Sequence, residues 1–332
     1  MSEQARRWAV VALAVLFVAG GCDGGAEPQA APNSSATSTT LTLPPVAPTA
    51  TPTSSATPSR DPGAAGPARF RVDASLQSVR RLAGRIGPRE TTSHAYARAA
   101  GWVERRFDAT GYDVMRQRLS VPAGVSWGVP VDAGRTWNVI AQPADFDPFR
   151  PYRLVGAHLD TVPQAPGAED NASGVAVLLE LARLAAGRRT GLPVVFVAFA
   201  AEEPRGDGDA LHHFGSRAYV ARMPVEERRN LTAMVSLDRV GVGRVVPVCT
   251  GGAGPASVQA ALLTTAQRTG VAALGCDNTS SDHWSFELAG MPAARVGSTP
   301  YASYHSAADL PGVVRPAQLR RVGALMWDWL RS

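Results

Sequence analysis

Pro193-Val194-Val195-Phe196-Val197-Ala198-Phe199-Ala200-Ala201-Glu202-Glu203 decides the architecture of this chain. Nine uncharged residues rich in Val and Phe stop abruptly at two adjacent carboxylates. A run this short and this apolar reads as a strand buried on both faces of a sheet. Two other stretches have the same form. Tyr152-Arg153-Leu154-Val155-Gly156-Ala157 closes on His158, and Thr232-Ala233-Met234-Val235-Ser236-Leu237 closes on Asp238. In open α/β sheets the carboxyl ends of the strands line the crevice where ligands bind. Strand ends carrying His, Glu-Glu and Asp therefore bring ionisable groups to one place.

Outward from these strands the pattern alternates. Tyr96, Ala100, Val103 and Phe107 fall at helical spacing behind Thr91-Thr92-Ser93, and Gly111 closes that helix. Strands are predicted at 112–115, 137–140, 245–248 and 291–296. Helices are predicted around Val175, Leu178, Leu179 and Ala182, then at 216–222, 255–268 and 316–330. Such alternation predicts an α/β domain with a mixed, mostly parallel sheet covered on both faces. No internal repeat is present.

The domain is expected at 69–332. Arg6 and Arg7, an apolar segment at 8–19 and Gly20-Gly21-Cys22 have the form of a lipoprotein signal peptide over 1–21. The apolar segment is short for a membrane span. Residues 22–68, dominated by Ala, Pro, Ser and Thr, cannot bury enough surface to offset their chain entropy and are expected to form a disordered tether. The expected location is extracytoplasmic, with lipidated Cys22 anchoring the chain to the membrane, or alternatively with the chain secreted.

The formal charge of +5 is a weak bias without a basic run in the domain, so nucleic acid is not an expected partner. All 33 basic side chains are Arg, which excludes lysine-based covalent chemistry. Cys249 and Cys276 are free to pair in an oxidising compartment, or to stay apart.

Zinc takes nitrogen and oxygen ligands, and its catalytic sites keep one position open. Pairs of metals about 3.5–4 Å apart need a bridging carboxylate. His158, Asp170, the Glu202-Glu203 pair, Asp238 and His305 offer such a set, suited to zinc with manganese or cobalt as substitutes. Asp170, in Gly167-Ala168-Glu169-Asp170-Asn171-Ala172-Ser173-Gly174, leads into a helix. It reads either as an N-cap or as the bridge. One glutamate of the pair is expected to bind metal and the other to act as general base. Asp160 is the expected hydrogen-bond partner of the His158 ring, and Asp309 that of the His305 ring. Tyr304 is a candidate to stabilise an oxyanion. Asp282 and His283 are expected to stand just behind the ligands. His94 reads as a surface residue, and His212 and His213 as members of a polar loop.

In their order, Gly156-Ala157-His158-Leu159-Asp160-Thr161, Asp170-Asn171-Ala172-Ser173-Gly174, Ala201-Glu202-Glu203, Leu237-Asp238, Ser281-Asp282-His283 and Tyr304-His305 resemble the bacterial leucyl aminopeptidase family of co-catalytic zinc peptidases, which includes glutaminyl cyclases. Weaker similarity runs through Gly87-Pro88-Arg89, Asn138-Val139-Ile140 and Gly215-Ser216-Arg217-Ala218-Tyr219-Val220. The resemblance implies a three-layer α/β/α sandwich. It implies one zinc on His158 and Asp238, a second on Glu203 and His305, Asp170 between them and Glu202 as base. The implied reaction is hydrolysis of the N-terminal peptide bond of peptides or proteins.

The chain departs from the family pattern at an expanded loop, 204–214, and at Arg239, where an apolar residue is usual. Both bear on substrate choice. Two alternatives stay open. One is a glutaminyl-peptide cyclotransferase on the same fold, which the resemblance implies would work with a single zinc; the other is a non-catalytic binding lipoprotein. A carboxypeptidase or deacylase relative would carry an inserted domain that the interval from Asp238 to His305 is too short to hold.

Overall fold

A computed structural model describes residues 69–186 and 188–332. The expected leader at 1–21, the tether at 22–68 and Cys22 lie outside the described residues.

Helix α1 (Val72–Val79) runs on as a π-helical turn, Arg80–Ile86. Helix α2 (His94–Asp108) begins at Ser93, whose Oγ accepts the Tyr96 N–H at 3.0 Å, and buries Tyr96, Ala99, Ala100, Val103 and Phe107 on one face. His94 is exposed as expected. Strand β1 (Asp113–Val121) pairs antiparallel with β4 (Gly134–Gln142). Between them sits a small hairpin, β2 (Gly124–Ser126) and β3 (Val129–Val131). Then come β5 (Tyr152–His158), α3 (Gly174–Ala186), β6 (Val194–Phe199), α4 (Phe214–Arg222), α5 (Val225–Asn230) and β7 (Leu231–Asp238). The chain finishes with β8 (Val246–Thr250), α6 (Ser257–Thr269), β9 (Ala273–Asp277), α7 (His283–Leu288), β10 (Ala293–Gly297) and α8 (Pro316–Arg331).

Eight strands form one mixed sheet in the order β1-β4-β6-β5-β7-β10-β8-β9. The centre of it, β6-β5-β7-β10, is parallel throughout. The carboxyl ends of β5, β6 and β7 therefore share one edge, which is why the residues closing those runs meet. Alternate residues of β6 serve opposite layers. Val194, Phe196 and Ala198 pack with α2, α3 and α8 in the larger core, whereas Val195, Val197 and Phe199 pack with Tyr219 of α4 and Phe286 of α7. Fully burying a side chain such as Phe196 or Phe199 contributes roughly 1.5–3 kcal/mol. The three-layer α/β/α sandwich is thus present, with helices on both faces of the sheet.

Cys249 and Cys276 lie opposite each other in the β8–β9 register and form a disulfide with a Cα–Cα distance of 4.4 Å. This decides the pairing left open above. Helix α1 is not among the expected helices although Val72, Leu76, Val79 and Ala83 fall at helical spacing, whereas the β2–β3 hairpin, α5, β9 and α7 carry no periodicity strong enough to announce them. Each is short, and β9 is an edge strand whose residues stay partly exposed. Among the described residues no helix is long and apolar enough to cross a membrane.

Candidate metal centre

His158 is the last residue of β5 and is 1% exposed. Its Nε2 lies 3.1 Å from Asp170 Oδ1 and 3.7 Å from Asp238 Oδ1. Across from it, His305 Nε2 lies 3.1 Å from Asp170 Oδ2 and 3.3 Å from Glu203 Oε2. One carboxylate thus turns one oxygen to each imidazole. Two groups of donors able to hold a cation follow, His158-Asp170-Asp238 and Asp170-Glu203-His305, each with ligand atoms within 4.8 Å of one another. His158, Glu202 and Glu203 form a third such group. Glu203 Oε1, Asp238 Oδ1 and His305 Nδ1 are buried without a hydrogen-bond partner. Buried polar atoms are costly to leave so, and cations would satisfy the carboxylate oxygens. Donor set and burial both fit zinc-type ions.

Electrostatics within the cluster is strong. Burial opposes a charge on His158, but Glu202, Asp170 and Asp238 outweigh it and hold the imidazole well above its ordinary range. For His305 the same contest, won by Glu203 and Asp170, ends at about 10. Burial also works against an ionised Asp170, yet the two imidazoles hold its carboxyl well below the usual range. Glu203 moves the other way, to about 7, because burial prevails over His305.

The supporting partners differ in part from expectation. The closest atom to His158 Nδ1 on Asp160 is the backbone oxygen, at 3.3 Å, with the carboxylate at 3.8 Å. The Asp160 carboxylate instead accepts the N–H groups of Glu202 and Glu203, each at 3.2 Å. It fixes the glutamate pair that follows β6. Asp309 likewise does not reach the His305 ring. Its carboxylate accepts the N–H groups of Glu169 at 2.9 Å and Asp170 at 3.1 Å, and the Tyr301 hydroxyl at 3.0 Å. Asp170 and Asn171 depart from helical geometry inside the turn Ala168–Ser173, and the Asp170–Asn171 peptide is cis. Asp170 is therefore not a helix cap. Asn171 ties the turn to β7, donating to Leu237 O at 2.8 Å and accepting from Gly174 N at 3.0 Å.

Tyr304 stacks its ring on His305 at 3.7 Å. Asp282 is buried; burial and then the nearby Glu202 carboxylate push it up to about 7. His283 points away, its Nε2 meeting Asn278 O at 2.8 Å.

Sequence reasoning missed several neighbours. His213, placed in a polar loop, is buried with its Nε2 3.4 Å from Glu202 Oε1. The expanded loop folds back to deliver it. Trp127, at the tip of the β2–β3 hairpin, sets its ring edge-on to His305 at 4.3 Å. Fully buried Arg89 gathers the loop between His158 and Asp170, donating to Leu159 O, Pro166 O and Gly167 O at 2.6, 2.6 and 3.0 Å. Arg295 Nη2 lies 3.1 Å from Asp238 Oδ2. Arg89 lay in the weakly similar stretch Gly87-Pro88-Arg89 and the loop carrying His213 was visible as an anomaly, whereas Trp127 and Arg295 have no spacing signal. Gly297, at φ +118°, admits Asp238 where a Cβ would stand 1.9 Å from its carbonyl oxygen.

The profile of peptidase family M28 matches residues 138–330, more than half of the chain, and spans every one of the ligand candidates. The chain belongs to peptidase family M28. This M28 chain is 32% identical over 179 residues to an uncharacterised protein of Escherichia coli, covering 50% of this chain and 48% of that one. To an aminopeptidase of Bacillus subtilis it is 31% identical over 190 residues, covering 52% of this chain and 39% of the other. It thus spans less than half the length of these curated relatives. Two solved structures share the M28 chain's fold. A zinc aminopeptidase from Bacillus subtilis superposes with a TM-score of 0.69 at 19% identity, covering 78% of this chain and 94% of that one. A glutaminyl cyclase from Porphyromonas gingivalis does so with a TM-score of 0.68 at 23% identity, covering 79% and 98%.

Proposed function

We propose that this chain is a zinc-dependent aminopeptidase that hydrolyses the N-terminal peptide bond of peptides or proteins at a centre holding two metal ions. The observation that carries this reading is Asp170, whose two oxygens each stand 3.1 Å from a different imidazole. In this reading His158 and Asp238 hold one ion, Glu203 and His305 the other, and Asp170 both. Bound cations would supply Lewis-acid polarisation of the scissile carbonyl and a more acidic water. Glu202 Oε1 is held by His213 at 3.4 Å, while Oε2 lies 3.9 Å from His158 Nε2. Glu202 is thus placed to take a proton from the attacking water and return it to the leaving amine. Tyr304, beside His305, is assigned to the developing oxyanion. Trp127 and Tyr304 together cover the His305 side and keep bulk water from it.

The same proposal places the domain outside the cytoplasm on a lipidated Cys22. The disulfide between Cys249 and Cys276 supports an oxidising compartment. The test uses the full chain on aminoacyl-nitroanilides and N-terminal glutaminyl peptides, with a chelator and with zinc restored. Nitroaniline release that follows zinc is the expected result. Pyroglutamate formation without hydrolysis would move the assignment to cyclisation. No turnover with metal bound would sink the enzyme reading.

A further inference from the structure

We propose that Arg239 binds a carboxylate of the substrate, so that peptides with an acidic N-terminal residue, or short peptides with a free C-terminus, are the preferred class. This rests on the aminopeptidase reading above. Arg239 follows Asp238 at φ 55°, a left-handed conformation that turns its side chain out of the line of β7. Its guanidinium lies 4.5 Å over the Tyr304 ring, which in turn stacks on His305 at 3.7 Å. A permanent positive charge therefore stands one aromatic ring away from a candidate ligand.

Part of that charge is answered within the chain, by the Asp238 and Asp170 carboxylates. Its nearest carboxylate, Asp238, is 3.9 Å from Nε, but Asp238 already has fully buried Arg295 at 3.1 Å. The one hydrogen-bond acceptor of the Arg239 side chain among the described residues is Ser298 Oγ, at 3.2 Å. Ser298 also lines a cavity of about 410 Å³ with Thr299, Pro300 and Gly243. A guanidinium has five donors in a planar fork that matches a carboxylate. Its side chain is only 12% exposed, so most of its hydration is already lost. An apolar substrate side chain beside it would strip more water and return no hydrogen bond.

The test compares kcat/KM of the full chain on glutamyl- and leucyl-nitroanilide, and on leucylglycine and its C-terminal amide. The expected result is a preference of roughly tenfold or more for the carboxylate-bearing member of at least one pair, with the Arg239→Met substitution collapsing that ratio. The first pair reports a side-chain carboxylate and the second a terminal one. A leucyl preference together with indifference to the free C-terminus overturns the proposal. So does an Arg239→Met effect that scales all substrates alike, since that is what mere support of Asp238 or Tyr304 would give. Calorimetric binding of glutamic acid α-amide, leucine and leucinamide reads the same residue without turnover. Carboxylate-dependent binding by a chain that hydrolyses nothing would reject the aminopeptidase reading and keep this one. Equal binding of all three by a chain that does release nitroaniline would overturn this proposal and keep the aminopeptidase reading.

Discussion

Asp170 and Trp127 both touch His305, and they are held in opposite ways. Asp170, on the floor of the centre, is 5% exposed; its backbone N–H is bonded to Asp309 and its turn is pinned by Asn171 and Arg89. Trp127, on the rim, is 53% exposed on a two-residue hairpin tip, its carbonyl meeting the Gln164 side chain at 3.4 Å. The floor is an over-determined network of buried charges and backbone groups, in which Asp170 and Glu203 face an imidazole while Asp160 and Asp309 accept N–H bonds. The rim is aromatic and basic, built from Trp127, Tyr304, Arg239 and the 204–214 loop. Floor residues should therefore set whether chemistry occurs, and rim residues which substrate it occurs on.

Four measurements break or sharpen that contrast, from the largest effect downward. Glu202→Gln should lower kcat by about 10²–10⁴-fold while bound zinc, measured by atomic absorption, stays constant. A loss of zinc in step with activity would make Glu202 a ligand instead of the base. Asp309→Asn weakens the hold on the Glu169 and Asp170 N–H groups, and should reduce zinc affinity by about 10–100-fold in a chelator competition. An unchanged affinity would mean that Asp170 is positioned without it, and the floor is less tightly determined than described.

At the rim, Trp127→Ala should change KM more than kcat, by less than about tenfold, because an exposed side chain contributes only part of its burial energy. An effect as large as that of Glu202→Gln would erase the distinction between floor and rim. The smallest effect belongs to His213→Ala. Burial opposes ionisation of Glu202, and His158 and then His213 hold its pKa below the usual range. Removing one of those partners must raise the Glu202 pKa, so the acid limb of the pH–rate profile should move to higher pH. A shift to lower pH would show that His213 does not support the carboxylate.

Much of the floor was legible because its residues close strongly apolar runs. His158, Glu202, Glu203 and Asp238 could be named from hydropathy alone, and a parallel sheet brings such positions together whatever the loops do. The partners of Asp160 and Asp309 were harder. Both carboxylates were expected on imidazoles, and both accept backbone N–H groups instead, since a neighbouring loop supplies donors that no spacing rule reveals. His213 was read as a loop histidine for the same reason: its burial depends on how residues 204–214 turn back over Glu202. The β2–β3 hairpin is too short to leave a pattern, so Trp127 had no signal at all.

By itself the sequence determined the α/β class, the parallel central strands and the edge at which four acidic and imidazole groups collect, because strand periodicity and burial are local properties of the chain. Only the tertiary structure decided that Asp170 faces two imidazoles at once, that Cys249 meets Cys276, that His213 reaches Glu202 and that Arg239 lies over Tyr304. Those are contacts between loops distant in sequence, and their geometry follows from packing on the finished sheet, not from any residue's own preference.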